Sequence, residues 1–360
     1  MIANFAKRRR ELLRELQQRG LSCLVVTHPS NWYYLTGFTG ESGALILSAA
    51  GATLLTDGRF TVQAREETRG VKIHLQKGGL YESLGAWLKT NKMSRVGFDP
   101  GQCTVSQWKA VRKTAGARFR AIEARGIPEG LRRKKDPLEL ATMRKAALLV
   151  GEVFESILKL LRPGVRENDL AAEIEYQMRK RGASGPSFET IVASGHRAAL
   201  PHARPTSKRL RKNELVVLDL GVIVGHYCSD MTRTVYLGRA PRRIRQWYRS
   251  VQGALEAGVA SVKSGVTCGE VDAAVRAVLN KDGLDHYFVH STGHGLGLEV
   301  HEEPRVARGQ SIRLEAGNVV TIEPGVYIEG VGGVRIEDDV AVHPGRNEVL
   351  TRVKRDLIEI

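Results

Sequence analysis

Two β-hairpin patterns in the second half of the chain constrain its fold most strongly, because each carries a pair of carboxylates inside β-rich sequence. The first reads LVVLDLGVIV, then Gly225, then HYCSDMTRTVYL. Two β-rich runs joined by a short glycine-containing turn are typical of a hairpin. A turn centred just before Gly225 would place Asp219 directly opposite Asp230. Side chains that face each other across a ladder lie about 4.5–5.5 Å apart, so both carboxylates would point at one spot.

The second pattern, VVTIEPGVYIEGVGGVRIEDDVAV, repeats this arrangement. A turn centred on Gly330 would place Glu323 opposite Glu337. Facing like charges destabilise a sheet and raise carboxylate pKa values, so two such pairs indicate neutralisation by cations. The alternative is that all four carboxylates are solvated on polar strand faces. Asp219 argues against it, because it interrupts an apolar run that predicts a buried strand, where an unpaired carboxylate is costly.

Histidines form a second group near these hairpins. The segment YFVHSTGHGLGLEVHEEP contains His290, His294 and His301, which are three of the ten histidines in the chain. Glycines on both sides of His294 let its backbone approach a neighbour closely. Another histidine, His202, lies in the proline-bracketed loop ALPHARP. Four carboxylates and one imidazole form a ligand set suited to two divalent cations. The members of this set are Asp219, Asp230, His294, Glu323 and Glu337.

These motifs resemble a known family. The stretches LDLG, SDMTRT, HSTGHGLGLEVHE, TIEPGVY and GGVRIEDD are similar to those of the M24 metallopeptidases, the pita-bread family of Xaa-Pro aminopeptidases, Xaa-Pro dipeptidases (prolidases), methionine aminopeptidases and creatinase. SFETIVASGHRAALPHARP and the N-terminal region resemble the bacterial Xaa-Pro branch. The resemblance implies an α/β N-terminal creatinase-like domain followed by an α+β pita-bread catalytic domain with an internal pseudo-two-fold duplication.

The resemblance also implies a role for each metal ligand. Asp219 would chelate one metal, His294 and Glu323 would bind the other, and Asp230 with Glu337 would bridge both. A water or hydroxide between the two ions would be the nucleophile, because two cations lower its pKa. The oxygen-rich ligand set favours Mn²⁺, and Co²⁺ or Zn²⁺ would also fit.

Further residues receive catalytic and substrate-binding roles by the same resemblance. Glu323 would carry a proton from the water to the leaving amine, and His202 and His301 would hydrogen-bond the scissile carbonyl or the oxyanion. His290 and Arg335 occupy family positions associated with recognition of the proline side and with support of the ligands.

Thr232 follows Asp230 closely in the sequence and carries a hydroxyl. We expect it to support the Asp230 carboxylate with a hydrogen bond.

The predicted reaction is hydrolysis of a peptide bond that precedes proline. We favour an Xaa-Pro aminopeptidase, because no additional loop that would close the pocket behind a dipeptide is evident in the sequence. A prolidase restricted to dipeptides is the alternative. A catalytically silent binding module would usually have lost ligands, and a metal-dependent hydrolase of a non-peptide substrate such as a phosphotriester is a third possibility.

Length and composition are consistent with two globular domains. The chain has 360 residues, of which 42% are hydrophobic, and contains no apolar run long enough for a membrane span. The segment GIPEGLRRKKDP predicts a boundary, giving domains at residues 1–130 and 131–360. The start, MIANFAKRRRELLRELQQRG, predicts an amphipathic helix without the apolar core of a signal peptide, which favours a cytoplasmic location.

Charge and the N-terminal domain indicate possible partners. The formal net charge of +16 comes from short basic clusters without a nucleic-acid-binding motif, so a solvated basic surface is favoured over nucleic-acid binding. The segment NWYY, residues 31–34, predicts a strand end packed on its own domain, and a pocket or a subunit interface is the alternative. In relatives the comparable domain mediates self-association, so the resemblance implies a homodimer acting on a proline-containing peptide.

Overall fold

The structure is a computed structural model that describes residues 4–360. The chain divides into two compact units, the first ending at Arg132 and the second spanning Arg133–Ile360. The boundary predicted from the sequence, between residues 130 and 131, lies close to this division. Among the described residues, every helix is too short or too polar to cross a lipid bilayer.

The first unit is an α/β domain, as predicted. Its helices are α1 (Phe5–Gln18), α2 (Pro29–Thr36), α3 (Thr61–Glu67), α4 (Leu80–Thr90), α5 (Val105–Ala115) and α6 (Ile127–Arg132). Its strands are β1 (Cys23–Val26), β2 (Ala44–Ser48), β3 (Gly51–Thr56), β4 (Val71–Leu75), β5 (Arg95–Phe98) and β6 (Arg120–Glu123). They form one mixed sheet in the order β4-β3-β2-β1-β5-β6.

Burial of apolar side chains explains this sheet. Strands β1, β2 and β3 contain almost only buried residues, and α4 and α5 pack Leu84, Leu88 and Val111 against them. The NWYY segment lies in helix α2 and not at a strand end, so that prediction is wrong. Pro29 explains the difference, because proline is well suited to the first turn of a helix.

The second unit carries the predicted ligands. Its helices are α7 (Pro137–Ile157), α8 (Glu167–Lys180), α9 (Arg242–Ser261) and α10 (Cys268–Lys281). Its strands are β7 (Gly185–Pro186), β8 (Ile191–Ser194), β9 (Glu214–Leu220), β10 (Val222–Val224), β11 (Tyr227–Cys228), β12 (Met231–Leu237), β13 (Gly293–Gly295), β14 (Glu302–Val306), β15 (Val319–Ile322), β16 (Gly325–Ile328), β17 (Gly332–Arg335), β18 (Asp338–His343), β19 (Arg346–Val349) and β20 (Ile358–Glu359).

The second unit repeats a helix-pair-and-sheet arrangement, which is the predicted internal duplication. In the first repeat, α7 and α8 share a buried apolar core with β8, β9 and β12. In the second repeat, α9 and α10 share a buried apolar core with β15 to β18. Helices on one face of an antiparallel sheet bury that face and leave the other available for polar groups.

The first acidic hairpin has a different register from the predicted one. Gly225 and His226 have φ values of 53° and 71°, and they form a two-residue turn between β10 and β11. Hairpin turns of this kind require positive φ at both central residues. The turn is therefore centred later than predicted, and Asp219 lies opposite Thr232 instead of Asp230.

The second acidic hairpin keeps its predicted register. Ile322 pairs with Asp338 on one side of the glutamates, and Gly325 pairs with Arg335 on the other. Glu323 and Glu337 lie in the break between these two ladders, at positions related by the same register. This break removes both residues from the regular ladder. The backbone at the break bonds a different strand instead: the Glu337 amide donates to the carbonyl oxygen of Thr232, in β12, at 3.1 Å.

Candidate metal centre

Three of the predicted ligands form a compact cluster. Asp230, His294 and Glu337 each offer a ligand atom, and these atoms lie within 4.8 Å of one another. The Nε2 atom of His294 is 3.8 Å from Asp230 Oδ2 and 3.5 Å from Glu323 Oε1. These side chains come from three separate parts of the second unit. The arrangement therefore depends on the tertiary fold of both repeats.

The fifth predicted ligand, Asp219, is buried and only half satisfied. Its Oδ2 accepts a hydrogen bond from Arg335 at 2.6 Å, whereas its Oδ1 has no hydrogen-bond partner among residues 4–360. A buried carboxylate oxygen without a partner is costly, and a cation would satisfy it. This oxygen, together with the oxygen-rich donor set beside it, fits a divalent metal ion.

Like charges crowd the cluster. Burial raises the pKa of Asp230 well above its usual range, and the carboxylates of Glu337 and Asp219 raise it further. Burial likewise raises the pKa of Glu337, with added contributions from Glu323 and Asp219. Burial also raises the pKa of Glu323, to about 8. Bound cations would relieve this crowding by stabilising the ionised forms.

The histidine of the cluster is neutral near pH 7. Burial lowers the pKa of His294 to about 4. Its Nδ1 lies 3.0 Å from the Gly295 carbonyl oxygen, so Nδ1 is the protonated nitrogen in the favoured tautomer. Nε2 then presents its lone pair to Asp230 and Glu323, as a metal-ligating imidazole should.

The glycines around His294 have a structural explanation. A Cβ atom built on Gly293 would lie 1.9 Å from the Thr321 carbonyl oxygen, and one built on Gly295 would lie 2.3 Å from that of Glu303. Only glycine therefore allows β13 to lie between its two neighbouring strands. The sequence predicted that the backbone around His294 approaches a neighbour closely, and that neighbour is the backbone of the two adjacent strands.

Arg335 organises one side of the cluster. Its guanidinium donates a hydrogen bond to Asp219. It also donates to the Thr232 hydroxyl at 3.0 Å and to the Tyr327 hydroxyl at 2.7 Å. It also donates to the Pro201 carbonyl oxygen at 3.1 Å, next to the predicted catalytic residue His202. The guanidinium thus connects one carboxylate of the cluster to the loop that carries His202.

Thr232 supports a different ligand from the one predicted. Its hydroxyl donates to Glu337 Oε2 at 2.7 Å, whereas the prediction was support of Asp230. The shifted register of the first hairpin accounts for the difference, because it brings Thr232 opposite Asp219 and beside the second hairpin.

The remaining predicted histidines surround the cluster. The ring of His301 is exposed and lies 4.4 Å from that of His294, edge to face. The ring of His290 packs beside Tyr327, whose hydroxyl is 2.8 Å from His290 Nε2. Burial lowers the pKa of His290 to about 4. His202 is exposed, and its proximity contributes to the lowered pKa of His290 and His301.

Two residues of this network were missed by sequence reasoning. Tyr327 joins His290 to Arg335, and Asp339 accepts a hydrogen bond from the Asp230 amide at 3.1 Å. The available signal was nearness in sequence, because Tyr327 lies in β16, just after Glu323, and Asp339 lies in β18, just after Glu337.

The raised pKa of Glu323 predicts how the metal-free protein responds to pH. A carboxyl whose pKa is higher in the folded state stabilises the fold below its ordinary pKa and loses that contribution as pH rises through the folded value. We therefore expect the Tm of the metal-free protein to fall between about pH 7 and about pH 9, a window above the ordinary pKa of histidine. Adding Mn²⁺ should raise the Tm more at the high-pH end of this window than at the low-pH end.

The variant Glu323→Gln is the matched control for this prediction, because it cannot ionise. Its metal-free Tm should fall less over the same window in a thermal melt followed by circular dichroism. If the metal-free wild type is as stable at the upper end as at the lower end, the carboxylates are not crowded as described.

Comparisons with known proteins match each unit to a known family. Residues 141–344 match the Metallopeptidase family M24, and residues 8–133 match the Creatinase/Prolidase N-terminal domain. The chain is 33% identical to an Xaa-Pro dipeptidase from Pyrococcus furiosus, over 98% of this chain and 99% of that protein.

Solved structures are similar along nearly their whole length. An Xaa-Pro dipeptidase from Bacillus anthracis superposes with a TM-score of 0.96 and 36% identity, covering 99% of this chain and 100% of the other. An X-Pro aminopeptidase from Thermotoga maritima superposes with a TM-score of 0.89 and 31% identity, covering 96% and 100%.

Proposed function

The chain belongs to the M24 metallopeptidase family, and from this premise we propose that it is an Xaa-Pro dipeptidase that hydrolyses the bond before proline. The observation that carries the proposal is the buried group of Asp230, His294 and Glu337, joined by Glu323 and by the half-satisfied carboxylate of Asp219. A structural role alone does not explain so many buried carboxylates in one cluster, three of which, Asp230, Glu323 and Glu337, have a raised pKa.

Members of this family use divalent metal ions, and we propose two of them here. The residues that would hold them are Asp219, Asp230, His294, Glu323 and Glu337. Divalent ions supply Lewis acidity and lower the pKa of a bound water, so hydrolysis can run near neutral pH. Mn²⁺ is the preferred candidate because most donors are hard carboxylate oxygens, and Co²⁺ or Zn²⁺ would also fit.

Glu323 is proposed to carry the proton. Its Oε1 lies 3.5 Å from His294 Nε2 and its Oε2 lies 3.9 Å from His290 Nδ1. It also accepts a weak hydrogen bond from the Thr321 hydroxyl at 3.4 Å. Burial raises its pKa to about 8, which supports a role for this carboxyl in holding a proton.

Two imidazoles are proposed to stabilise the reacting carbonyl. His301 lies on the exposed side of His294, and His202 lies beside the carbonyl that Arg335 holds. Both are placed to donate hydrogen bonds to the carbonyl oxygen as it gains negative charge.

The side of the cluster formed by His290, Tyr327 and Arg335 suits the proline of the substrate. The bond before proline has no N–H on its nitrogen, so the enzyme needs no acceptor there. The aromatic rings of His290 and Tyr327, with centroids 5.4 Å apart, offer an apolar surface for the proline ring. The Arg335 guanidinium supplies positive charge behind them.

Substrate length distinguishes the two Xaa-Pro activities. The sequence alone favoured an aminopeptidase, whereas the relatives named Xaa-Pro dipeptidase favour a prolidase. The likeness to an X-Pro aminopeptidase keeps that activity as the second candidate. We expect the Mn²⁺-loaded protein to hydrolyse Ala-Pro at least about tenfold faster, in kcat/KM, than Ala-Pro-Ala, which corresponds to about 1.4 kcal/mol of discrimination.

The measurement is release of free alanine from each peptide under one metal concentration. Faster hydrolysis of Ala-Pro-Ala would identify an aminopeptidase, and hydrolysis of neither peptide with Mn²⁺, Co²⁺ or Zn²⁺ would contradict the proposed function. A homodimer and a cytoplasmic location stay predictions from the sequence.

A further inference from the structure

Arg233 is a buried guanidinium directly behind the candidate metal centre. It lies in β12 with 1% of its surface exposed. Its Nε and both terminal nitrogens make five hydrogen bonds, one for every N–H that the group possesses. The acceptors are the carbonyl oxygens of Thr232, Glu337, Val353 and Lys354 and the carboxylate of Asp338.

Two of these bonds bear on the position of a proposed metal ligand. Nη1 of Arg233 donates to the Glu337 carbonyl oxygen and to the Thr232 carbonyl oxygen, at 2.6 Å and 2.9 Å. The same two residues are also joined by the Glu337 amide, at 3.1 Å, and by the Thr232 hydroxyl, at 2.7 Å from the Glu337 carboxylate. Arg233 therefore fixes the backbone on both sides of the contact that orients the carboxylate.

The charge of Arg233 is balanced away from the ligands. Nη2 lies 2.8 Å from Asp338 Oδ1, and the other oxygen of Asp338 pairs with Arg355 at 2.6 Å. Asp338 is fully buried. The charged contact of Arg233 is made to Asp338, whereas its bonds to Glu337 and Thr232 are made to backbone carbonyl oxygens, so its contribution to Glu337 is geometric.

We propose that Arg233 is a positioning residue that orients Glu337 for metal binding. The proposal deepens the proposed function and rests on it. A lysine at this position keeps the charge but has three donors on a single atom, so it cannot reach acceptors on separate segments at once. Loss of such supporting contacts typically weakens metal affinity about 10–100-fold.

The test compares Arg233→Lys with the wild type by calorimetric titration of the metal-stripped protein with Mn²⁺. We expect a Kd about 10–100-fold weaker in the variant, with much of the Ala-Pro hydrolysis recovered at saturating Mn²⁺. The matched control is Arg144→Lys, whose arginine pairs with Glu348 through two 2.7 Å bonds away from the ligands. It should keep the wild-type Kd.

The other outcomes are also decisive. A variant that melts at a lower temperature but binds Mn²⁺ with the wild-type Kd would show that Arg233 only stabilises the fold, and the proposal would be wrong. If Arg233→Lys does not fold, Asp338→Asn replaces it: a weaker Kd supports the proposal and an unchanged Kd overturns it. Failure of the wild type to bind Mn²⁺ would overturn the proposed function instead.

Discussion

Replacing Glu337 with glutamine is expected to remove Mn²⁺ binding at the candidate metal centre and to lower Ala-Pro hydrolysis at least about a thousandfold, because metal catalysis supplies several kcal/mol. The glutamine keeps the size of the side chain and can still accept the hydrogen bond from Thr232. It lacks the negative charge that a hard cation requires. The change therefore tests the charge of the residue with little change in its packing.

The same substitution should stabilise the metal-free protein. Burial and the carboxylates of Glu323 and Asp219 raise the pKa of Glu337, so its ionised form is unfavourable in the folded state without a cation. A neutral side chain removes that cost above the ordinary carboxyl pKa, and the metal-free Tm at about pH 8 should rise. Opposite effects on stability and activity are characteristic of a functional residue.

The exposed glutamate of the same hairpin, Glu329, provides the control. Glu329→Gln should change neither Mn²⁺ binding nor the rate of hydrolysis. The account of Glu337 fails if Glu337→Gln binds Mn²⁺ and hydrolyses Ala-Pro as the wild type does.

Replacing His301 with alanine is expected to lower kcat about 10²–10³-fold while leaving the Mn²⁺ content unchanged, because one hydrogen-bond donor to the developing oxyanion is lost. His301 contacts the ring of His294 but is exposed, and it lies on the outside of the ligand cluster. Its ring is still partly shielded from solvent, and this partial burial together with His202 lowers its pKa, so it acts as a neutral donor near pH 7.

This prediction is checked by metal analysis of the purified variant together with steady-state kinetics on Ala-Pro. His286, an exposed histidine of the same unit, is the control, and His286→Ala should retain wild-type kcat. A His301→Ala protein that has lost its metal, but whose metal-loaded fraction turns over normally, would assign His301 to metal binding instead.

The residues of the candidate site could be predicted from the sequence, whereas part of its geometry could not. Asp219 was identified because it interrupts an apolar run, and the structure places it in the buried strand β9. The predicted cross-strand partner of Asp219, Asp230, was wrong. The hairpin turn depends on positive φ at His226, a conformation that few residues other than glycine adopt readily. Glu323 and Glu337 kept their predicted register because Gly330 does form the turn, with φ of 73°.

The supporting network was beyond sequence reasoning for a different reason. Arg335 contacts Asp219, and Arg233 contacts Val353, over separations of 116 and 120 residues. Such contacts depend on how two repeats pack together, which local periodicity does not determine. In the first unit, by contrast, strands such as β1 and β2 are short apolar runs that are buried along their whole length, a feature that the local sequence displays.

We propose that the second unit holds two divalent ions on which hydrolysis of an Xaa-Pro bond depends. The test is a titration of the metal-stripped protein with Mn²⁺, with Ala-Pro hydrolysis followed in the same samples. We expect no hydrolysis without metal and activity that rises until two ions are bound per chain. Full hydrolysis by the stripped protein, or no hydrolysis after Mn²⁺, Co²⁺ or Zn²⁺ has been bound, would contradict it.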